Sequence, residues 1–386
     1  MSEEQIKVIV IEHGAGFIKA GFSGEDRPCF PPSSVEEQKK PVRPPVRPLV
    51  IQPLKEPKSD IETTDQKNLK LENMETVWRD TFYNLNIDTS KSNSLVLLTV
   101  PPLTTNADKQ IMTEIMFNKF NVSGLYIATD AVLALLATGR KTGIVLHSTE
   151  GATHIVPIYE GQAITDKIKR FNICGQDLTN YLMKLLKEKG YSFNSDLESY
   201  RSDVNDIKKK FCYVANNYLD EVTSFEIFNN SKNYEIRGES ITINVERIIC
   251  PELLFKPYII ASGSIGIHEV IYNSIIECDA DIQKELFGNI ILSGENTVFP
   301  GFAKRLEIEI REKRERDLIE RKINTQDNQM EIKVHESFYK DGVNKQENLA
   351  WIGGSDLSSL DKFNEFWITK AEYDKSGSSI VNKKCI

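Results

Sequence analysis

The segment at 145–161, VLHSTEGATHIVPIYEG, contains the residue types of a phosphate-binding turn. An apolar run that suits a buried strand ends in a polar turn containing Gly151, and a second apolar run follows. Backbone N–H groups in a bend of this kind form a concave anion-binding nest. A bound phosphate usually shares its charge with a metal ion that a carboxylate holds. The residue at the end of the first apolar run is instead a histidine, His147.

A weaker copy of this pattern lies near the start of the chain. KVIVI at 7–11 is an apolar, β-branched run typical of a buried strand, and a glycine-containing turn follows at 12–16. FIKAGF at 17–22 suits the returning strand of a hairpin. Two such hairpins facing each other across a cleft could bind the two sides of one phosphate chain.

The elements that would position these turns alternate between strands and helices. SLVLLTV at 94–100 predicts a buried strand, and residues 288–301 predict a strand that runs into a Gly-containing loop. Helical spacing and end signals predict helices at 108–120, 131–139, 177–189 and 202–217. This alternation indicates an α/β fold.

The bulk composition narrows the class of protein. At 386 residues the chain exceeds what one hydrophobic core usually serves, so we expect two large lobes. A net charge of −8 disfavours direct binding to nucleic acid. The chain has no apolar run of about 18 residues and no signal-peptide pattern, which predicts that no membrane is a partner. The six cysteines lack a C-x-x-C pair, which indicates reduced thiols in an intracellular protein.

Two segments depart from the alternating pattern. Nine of the 15 prolines fall within residues 28–57, a composition that favours extended polyproline conformation. The part at 41–57 could be a ligand for an SH3-type domain or part of a remodelled lobe. A charged helix is predicted at 302–322, where the sequence reads FAKRLEIEIREKRERDLIERK. This helix is either exposed to solvent and stabilised by i,i+4 ion pairs, or it is a surface that binds a partner.

Several stretches of the sequence resemble the actin family, in the family's order and near its spacing. They are KAGFSGEDRP (19–28), THIVPIYEG (153–161), GQDLTNYLMKLLKEKGYSF (175–193), DIKKKFCYVA (206–215), ILSGENTVFPG (291–301) and AWIGGSDLSSL (350–360) with the residues after it. The resemblance implies two RNase-H-like lobes around a nucleotide cleft, the architecture shared with Hsp70 and sugar kinases. The implied first lobe is 1–137, with a remodelled Pro-rich subdomain 2 at about 33–70. The implied second lobe is 138–345, and 346–386 returns to subdomain 1.

The resemblance also implies a site for Mg-ATP, in which the first hairpin contacts the phosphates. The family pattern Asp-Asn-Gly-Ser-Gly is here Glu12-His13-Gly14-Ala15-Gly16, and the phosphate-binding lysine is Lys19. Glu12 keeps a negative charge for the metal but is one methylene longer than aspartate. Ala15 lacks the hydroxyl that would contact the terminal phosphate.

The second hairpin departs further from the family. Its Asp-Ser-Gly-Asp-Gly is here His147-Ser148-Thr149-Glu150-Gly151. His147 supplies no negative charge, and imidazole is a poor ligand for Mg²⁺, which prefers oxygen. The glutamine that orients the attacking water is Asp130 here, while His154, near that water, is retained. These two are the candidate catalytic residues.

The adenosine side of the implied site is altered as well. Lys208 matches the family, the adjacent glutamate is Lys209, and the Ser-Gly-Gly-Thr loop carries Glu295 and Asn296. A lysine expected in a later loop reads as Glu347. The other residues implied to contact the nucleotide are Gly175, Gly294, Val298 and Phe299.

Changes at the metal, water, phosphate and base positions together predict that ATP hydrolysis is weak or lost. Binding of ATP or ADP with Mg²⁺ stays open at this point. His13, His147 and His154 could form a zinc site, although neither a cysteine nor a fixed spacing supports one. The interpretation we favour is divergence after the metal role was lost.

The leading hypothesis is a divergent actin or actin-related protein that serves as a structural subunit of the cytoskeleton or of a larger complex, in the cytoplasm. Leu357, Leu360 and Phe363 resemble the family's hydrophobic cleft for partner helices, although their spacing suits core positions equally. The implied partners are actin, actin-related proteins or actin-binding proteins. The alternatives are an ATP-hydrolysing filament protein, a small-molecule kinase of the same superfamily, and a nuclear subunit of a chromatin-remodelling complex.

Overall fold

The structure is a computed structural model that describes residues 6–13, 18–29, 64–192, 197–228, 231–236, 238–322, 330–339 and 341–385. Side chains are described within these ranges except at 64–73, 197–199 and 225–228. The Pro-rich segment at 41–57 and most of the predicted subdomain 2 lie outside the described residues. The hypotheses about those segments stay predictions.

Strands and helices alternate along the described residues, as the sequence predicted. The strands are β1 (Lys7–His13), β2 (Ile18–Phe22), β3 (Ser94–Val100), β4 (Gly124–Thr129), β5 (Gly143–Ser148), β6 (Thr153–Tyr159), β7 (Gln162–Ala163), β8 (Lys169–Phe171), β9 (Lys232–Ile236), β10 (Glu239–Ile243), β11 (Ile290–Ser293), β12 (Val334–His335) and β13 (Ile368–Thr369). The helices are α1 (Thr64–Asn84), α2 (Asn106–Asn118), α3 (Asp130–Leu136), α4 (Gly175–Glu188), α5 (Leu197–Phe211), α6 (Tyr218–Phe228), α7 (Glu246–Glu252), α8 (Ile267–Ile276), α9 (Ala280–Gly288), α10 (Phe302–Glu320), α11 (Leu349–Ser358), α12 (Lys370–Ser376) and α13 (Val381–Lys384). The predicted α/β class is confirmed.

The chain divides into two compact units. Unit 1 consists of Met1–Val145, Ile158–Asp166 and Asn348–Ile386. Unit 2 consists of Leu146–Pro157 and Lys167–Glu347. The chain therefore passes from one unit to the other within β5 and within β6. The division into subdomains at the boundaries given above stays a prediction.

Unit 1 is built on a five-stranded sheet with the order β13-β4-β3-β1-β2. The central strands β1, β3 and β4 are parallel, and the edge strands β2 and β13 are antiparallel to their neighbours. The predicted hairpin is confirmed, because β1 and β2 pair from Ile9↔Phe22 to His13↔Ile18. Parallel strands are covered on both faces, which explains why β1 and β3 are nearly continuous apolar runs.

The helix α1 of unit 1 was missed by the sequence analysis. Its first half, TDQKNLKLEN, is almost entirely polar and gives little helical periodicity. Trp78 and Phe82 in its second half are nevertheless buried, and both rings contact Phe120, with centroid distances of 6.4 Å and 5.0 Å respectively. Tertiary packing, more than local pattern, therefore stabilises this helix.

Unit 2 holds most of a six-stranded sheet with the path β12-β11-β5-β6-β7, to which β8 is added by antiparallel pairing with β6. The strands β9 and β10 form a separate antiparallel hairpin in the same unit. The predicted strand at 288–301 is confirmed as β11, which runs into a short 3-10 helix at Glu295–Thr297.

Two predicted helices of unit 2 have different ends in the structure. The helix predicted at 177–189 begins earlier, at Gly175, because the Asp177 carboxylate accepts a hydrogen bond from Cys174 N and caps the first turn. The helix predicted at 202–217 spans Leu197–Phe211. It ends early because Tyr213 N and Val214 N donate to carbonyls of other segments. The helices predicted at 108–120 and 131–139 are confirmed with shifted ends.

The charged helix predicted at 302–322 is confirmed as α10. One face buries Phe302, Leu306 and Ile310. Four i,i+4 ion pairs lie along it, formed by Arg305–Glu309, Arg311–Glu307, Arg316–Glu312 and Arg321–Asp317. The solvated-helix interpretation accounts for these contacts, and a partner surface on this helix stays a prediction.

Among the described residues, no helix is both long enough and apolar enough to cross a membrane.

Candidate functional site

In unit 1, Glu12 and Lys19 face each other across the first hairpin. They are directly paired positions of β1 and β2, and Lys19 Nζ lies 3.0 Å from Glu12 Oε1. The Glu12 side chain is buried, and its Oε2 has no hydrogen-bond partner among the described residues. Lys19, which the resemblance assigns to the phosphates, is therefore paired with a carboxylate of its own hairpin. Gly14, Ala15 and Gly16 lie outside the described residues.

Asp130 is a buried acid at the first position of α3. Burial is the main reason why the pKa of Asp130 is raised to about 8. The hydrogen bond from Ala131 N to Oδ1, 2.5 Å long, lowers this pKa, the charge of Glu12 raises it, and Lys19 lowers it. At pH 7 the carboxyl group therefore keeps its proton in most molecules. A protonated acid cannot take a proton from an attacking water.

His147 and Ser293 lie on neighbouring strands of the six-stranded sheet. His147 Nδ1 lies within 2.9 Å of Ser293 Oγ, and both residues are buried. The second candidate catalytic residue, His154, is 2% exposed on β6, at the position paired with Arg170 of β8. Both imidazoles are thus built into the sheet of unit 2.

The turn after β5 is held by hydrogen bonds to its own backbone. Thr149 N donates to Ala152 O at 2.9 Å, and Thr149 Oγ1 donates to the same oxygen. Asn296 Nδ2 donates to Thr149 O at 2.7 Å and to Ser148 Oγ at 3.2 Å. Gly151, at the end of the turn, is buried. The turn that the sequence predicts to bind phosphate is thus anchored to the loop after β11.

Two glycines allow the close approach of these segments. Gly294 has φ +89°, and a Cβ there would overlap the carbonyl oxygen of Ser148. A Cβ at Gly175 would overlap the side chains of Glu150 and Asn296. Only glycine fits at either position without a shift of the backbone or of these side chains. The structure therefore brings Gly175, Gly294 and the turn together, and their contact with a nucleotide stays a prediction.

Lys208 is a buried lysine at the centre of this arrangement in unit 2. Its Nζ donates to Thr179 Oγ1 at 2.9 Å and to Gly175 O at 3.0 Å, and lies 3.4 Å from Glu150 Oε2. Burial raises the pKa of Glu150, Lys208 opposes this rise, and the charge of Glu295 adds to it. The ammonium group is therefore satisfied by groups of the protein.

Lys209, the next residue, pairs with Glu295. Its Nζ lies 3.2 Å from Glu295 Oε2, and the two side chains are 34% and 15% exposed. Burial lowers the pKa of Lys209, but the charges of Glu295 and Glu347 outweigh this effect and raise it. Val298 is half-buried and Phe299 is buried beyond this pair.

The family model described as Actin matches residues 3–386, essentially the whole chain. This chain belongs to the actin family. The resemblance stated from the sequence is confirmed, and an actin-like α/β fold with it. Members of the actin family generally bind a nucleotide with Mg²⁺ and act together with protein partners.

The donor groups of this actin-family chain do not fit a magnesium ion as the family implies one. In unit 2 the implied carboxylate position carries an imidazole that is already hydrogen-bonded to Ser293. In unit 1 Asp130 is protonated at pH 7 and Glu12 is paired with Lys19. Mg²⁺ prefers charged oxygen ligands. Within the part of the chain that the structure describes, no group of three His, Cys, Asp or Glu side chains is arranged to hold a metal.

The three residues that resemble the actin-family partner cleft differ in how far their side chains are exposed to solvent. Phe363 is buried, with its ring in edge-on contact with Tyr126 and Trp367. Leu357 is half-buried, and Leu360 is 57% exposed. Phe363 therefore belongs to the core of unit 1, while Leu360 offers apolar surface. A partner cleft at these residues stays a prediction.

Two hydroxyl groups of the site were missed by the sequence analysis. Ser293 is the partner of His147, and Thr179 is a partner of Lys208. Each lies far along the chain from the residue it contacts, so sequence spacing carries no signal for the contact. The one available signal was that Ser293 belongs to the quoted stretch ILSGENTVFPG.

Proposed function

We propose that this actin-family protein is a structural assembly subunit in which ATP hydrolysis is weak or lost. The observation that carries the proposal is the buried hydrogen bond between His147 and Ser293, at the position where the family implies a metal-binding carboxylate. An imidazole engaged with a serine adds no negative charge for Mg²⁺. Loss of a charge placed for the transition state removes a large part of the catalytic effect.

The state of Asp130 supports the same conclusion. It occupies the position of the residue that orients the attacking water, but it is buried and keeps its proton at pH 7. A neutral acid neither accepts a proton from water nor stabilises a developing positive charge. Residues of this chain thus disfavour both the binding of Mg²⁺ and the activation of the attacking water.

The C-terminal segment supports a role as a scaffold. Trp351 is fully buried and its Nε1 donates to Val10 O at 3.0 Å, and Cys385 Sγ accepts from Ile127 N at 3.2 Å. The C-terminal segment, one of the stretches that resemble the family, is thus firmly packed in unit 1. We propose protein partners of the actin system, namely actin, actin-related proteins or actin-binding proteins, and a place in the cytoplasmic cytoskeleton. A nuclear complex is the alternative setting.

Four measurements on the full chain test this proposal, two for the nucleotide and two for assembly. The purified protein is denatured and any released nucleotide is identified by chromatography, and phosphate release is followed with and without Mg²⁺. We expect either no nucleotide or ATP without ADP, and no Mg-dependent phosphate release. Cosedimentation with actin filaments, and seeded actin growth, test the assembly role. A protein that neither pellets nor changes actin growth contradicts that role.

A second candidate function, an ATP-hydrolysing filament protein, is favoured by one observation. The Oε2 atom of Glu12 is buried and has no hydrogen-bond partner among the described residues, as expected of an oxygen that awaits a ligand. Under this alternative, phosphate release depends on Mg²⁺ and is abolished by Glu12→Gln, which removes the charge but keeps the volume. Such a result would replace our proposal.

A further inference from the structure

Two positions at which this chain departs from the actin family contact each other. Lys209 replaces a glutamate and lies in the last turn of α5, and Glu295 replaces a glycine and follows β11. They are 86 residues apart in the chain, and their charged groups lie 3.2 Å apart. The first change reverses the sign of a charge beside the implied adenosine position, and the second adds a negative charge there. Together they form an ion pair within unit 2.

We propose that the Lys209–Glu295 ion pair occupies the adenosine position of unit 2 and sets a low affinity for ATP. The inference rests on the nucleotide position assigned under the proposed function. It adds to that function the residues that decide whether a nucleotide enters. The pair acts on binding, whereas His147 and Asp130 act on hydrolysis.

The backbone that carries Glu295 is held in place by its neighbours in the chain. Gly294 is held against Ser148 with no room for a side chain, and Asn296 is hydrogen-bonded to Ser148 and Thr149. The residues on both sides of Glu295 are therefore fixed. Its side chain cannot leave the position by a movement of the loop, and it fills space that a glycine leaves open.

The charges around Glu295 also oppose the binding of a nucleotide. Glu295, Glu150 and Glu347 all act on this region, and the lysines that would offset them are already engaged. Lys208 bonds to Gly175 O and Thr179, and Lys209 bonds to Glu295. A nucleotide that separates Lys209 from Glu295 leaves a carboxylate that is only 15% exposed without its partner. Such an unpaired, poorly hydrated charge costs free energy, which is subtracted from the binding energy.

The partial exposure of the pair limits the size of the effect. Because the Lys209 side chain is 34% exposed, water and salt screen the interaction, and the pair weakens binding without closing the site permanently. ATP affinity is therefore expected to change by a measurable factor when the pair is removed.

The test is titration calorimetry of ATP into the purified full chain after removal of bound nucleotide. Four variants, three at the ion pair and one at Lys210, are compared with wild type, and each is checked for folding by circular dichroism. Glu295→Gly removes the side chain, and Lys209→Glu combined with Glu295→Gly restores the family residues at both positions. The matched control, Lys209→Glu with Glu295→Lys, keeps an ion pair of reversed order.

We expect both Glu295→Gly proteins to bind ATP about tenfold or more tightly, and the reversed pair to stay within about threefold of wild type. Lys210→Gln, at the neighbouring lysine that bonds to Tyr234, is expected to leave the affinity unchanged. Affinities of both glycine proteins within about threefold of wild type overturn the proposal. If the glycine proteins do not fold, Glu295→Ala is judged by the same criterion. The proposed function is tested by a separate measurement. Mg-dependent phosphate release by the wild-type protein would contradict that function, whatever the ATP affinities of the variants.

Discussion

The Nδ1 atom of His147 lies 2.9 Å from the Oγ atom of Ser293, and both side chains are buried in unit 2. The two residues lie near the carboxyl ends of β5 and β11, which are neighbours in the sheet. A buried polar group is stable only with a partner, so each residue depends on the other. The histidine is therefore part of the structure of this sheet, and replacing it alone does not recreate a metal site.

His147→Asp is expected to leave phosphate release undetectable, because Asp130 and Glu295 are unchanged. The new carboxylate would be a buried charge in place of a neutral ring that bonds to Ser293, so we expect the free energy of unfolding to fall by about 2 kcal/mol or more. His147→Asn is the control, since its neutral amide can still bond to Ser293 and loses less stability. Phosphate release and urea unfolding measure the two effects. Strong Mg-dependent phosphate release by His147→Asp would show that the rest of the site is intact.

Asp130→Asn is expected to remove a pH dependence of stability. The pKa of Asp130 is about 8 in the folded protein, because of burial, and about 3.8 in the unfolded chain. Between these values the unfolded chain has lost a proton that the folded protein keeps, so stability falls as the pH rises. The slope approaches about 1.4 kcal/mol per pH unit at most.

The measurement for Asp130 is urea unfolding of wild type and Asp130→Asn at pH 4, 6 and 8. Near pH 4 the two proteins should differ least in the pH-dependent part of their stability, because the acid is neutral in the folded protein and only about half ionised in the unfolded chain. Towards pH 8 the asparagine protein should become the more stable of the two. A difference that does not change with pH would mean that Asp130 is ionised in the folded protein.

Gly294→Ala is expected to destabilise unit 2 far more than Gly263→Ala. Both glycines have positive φ, +89° and +79°, so an alanine is strained at each by about 1–2 kcal/mol. A Cβ at Gly263 meets no atom within 4 Å, whereas one at Gly294 overlaps Ser148 O. The difference between the two proteins in thermal unfolding isolates the steric contact. Equal losses would argue against the tight packing of the loop after β11 on the turn after β5.

Glu252→Gln is expected to destabilise the protein by about 2 kcal/mol, because it removes a buried charge that pairs with Arg305, although Arg305 keeps its second partner Glu309. Arg305 Nη2 lies 3.2 Å from Glu252 Oε1, and these side chains are 6% and 2% exposed. Glu307→Gln is the control on α10, the helix that carries Arg305, because its partner Arg311 has a side chain that is 47% exposed. That change should cost less than about 0.5 kcal/mol. Urea unfolding of the two proteins tests the contrast, which would fail if both losses were small.

Much of the fold could be predicted because its central elements have strong local patterns. The apolar runs of β1 and β3 predicted strands, since strands covered on both faces contain few polar residues. The helix α1 could not be predicted, because its polar first half hides the few residues, such as Trp78, that the core buries. The helix ends differ because caps and contacts with distant segments decide them, as Asp177 does for α4.

For the site, the sequence by itself determined which residue types stand at the family's nucleotide positions, because these follow from chain order alone. It identified His147, Asp130 and Glu295 as departures from the family pattern. Only the tertiary structure decided what these residues do. The proton on Asp130 follows from its burial, and the partners of His147 and Lys209 lie 146 and 86 residues away in the chain. Burial and long-range contacts depend on how strands and helices pack, and no local pattern in a sequence encodes them.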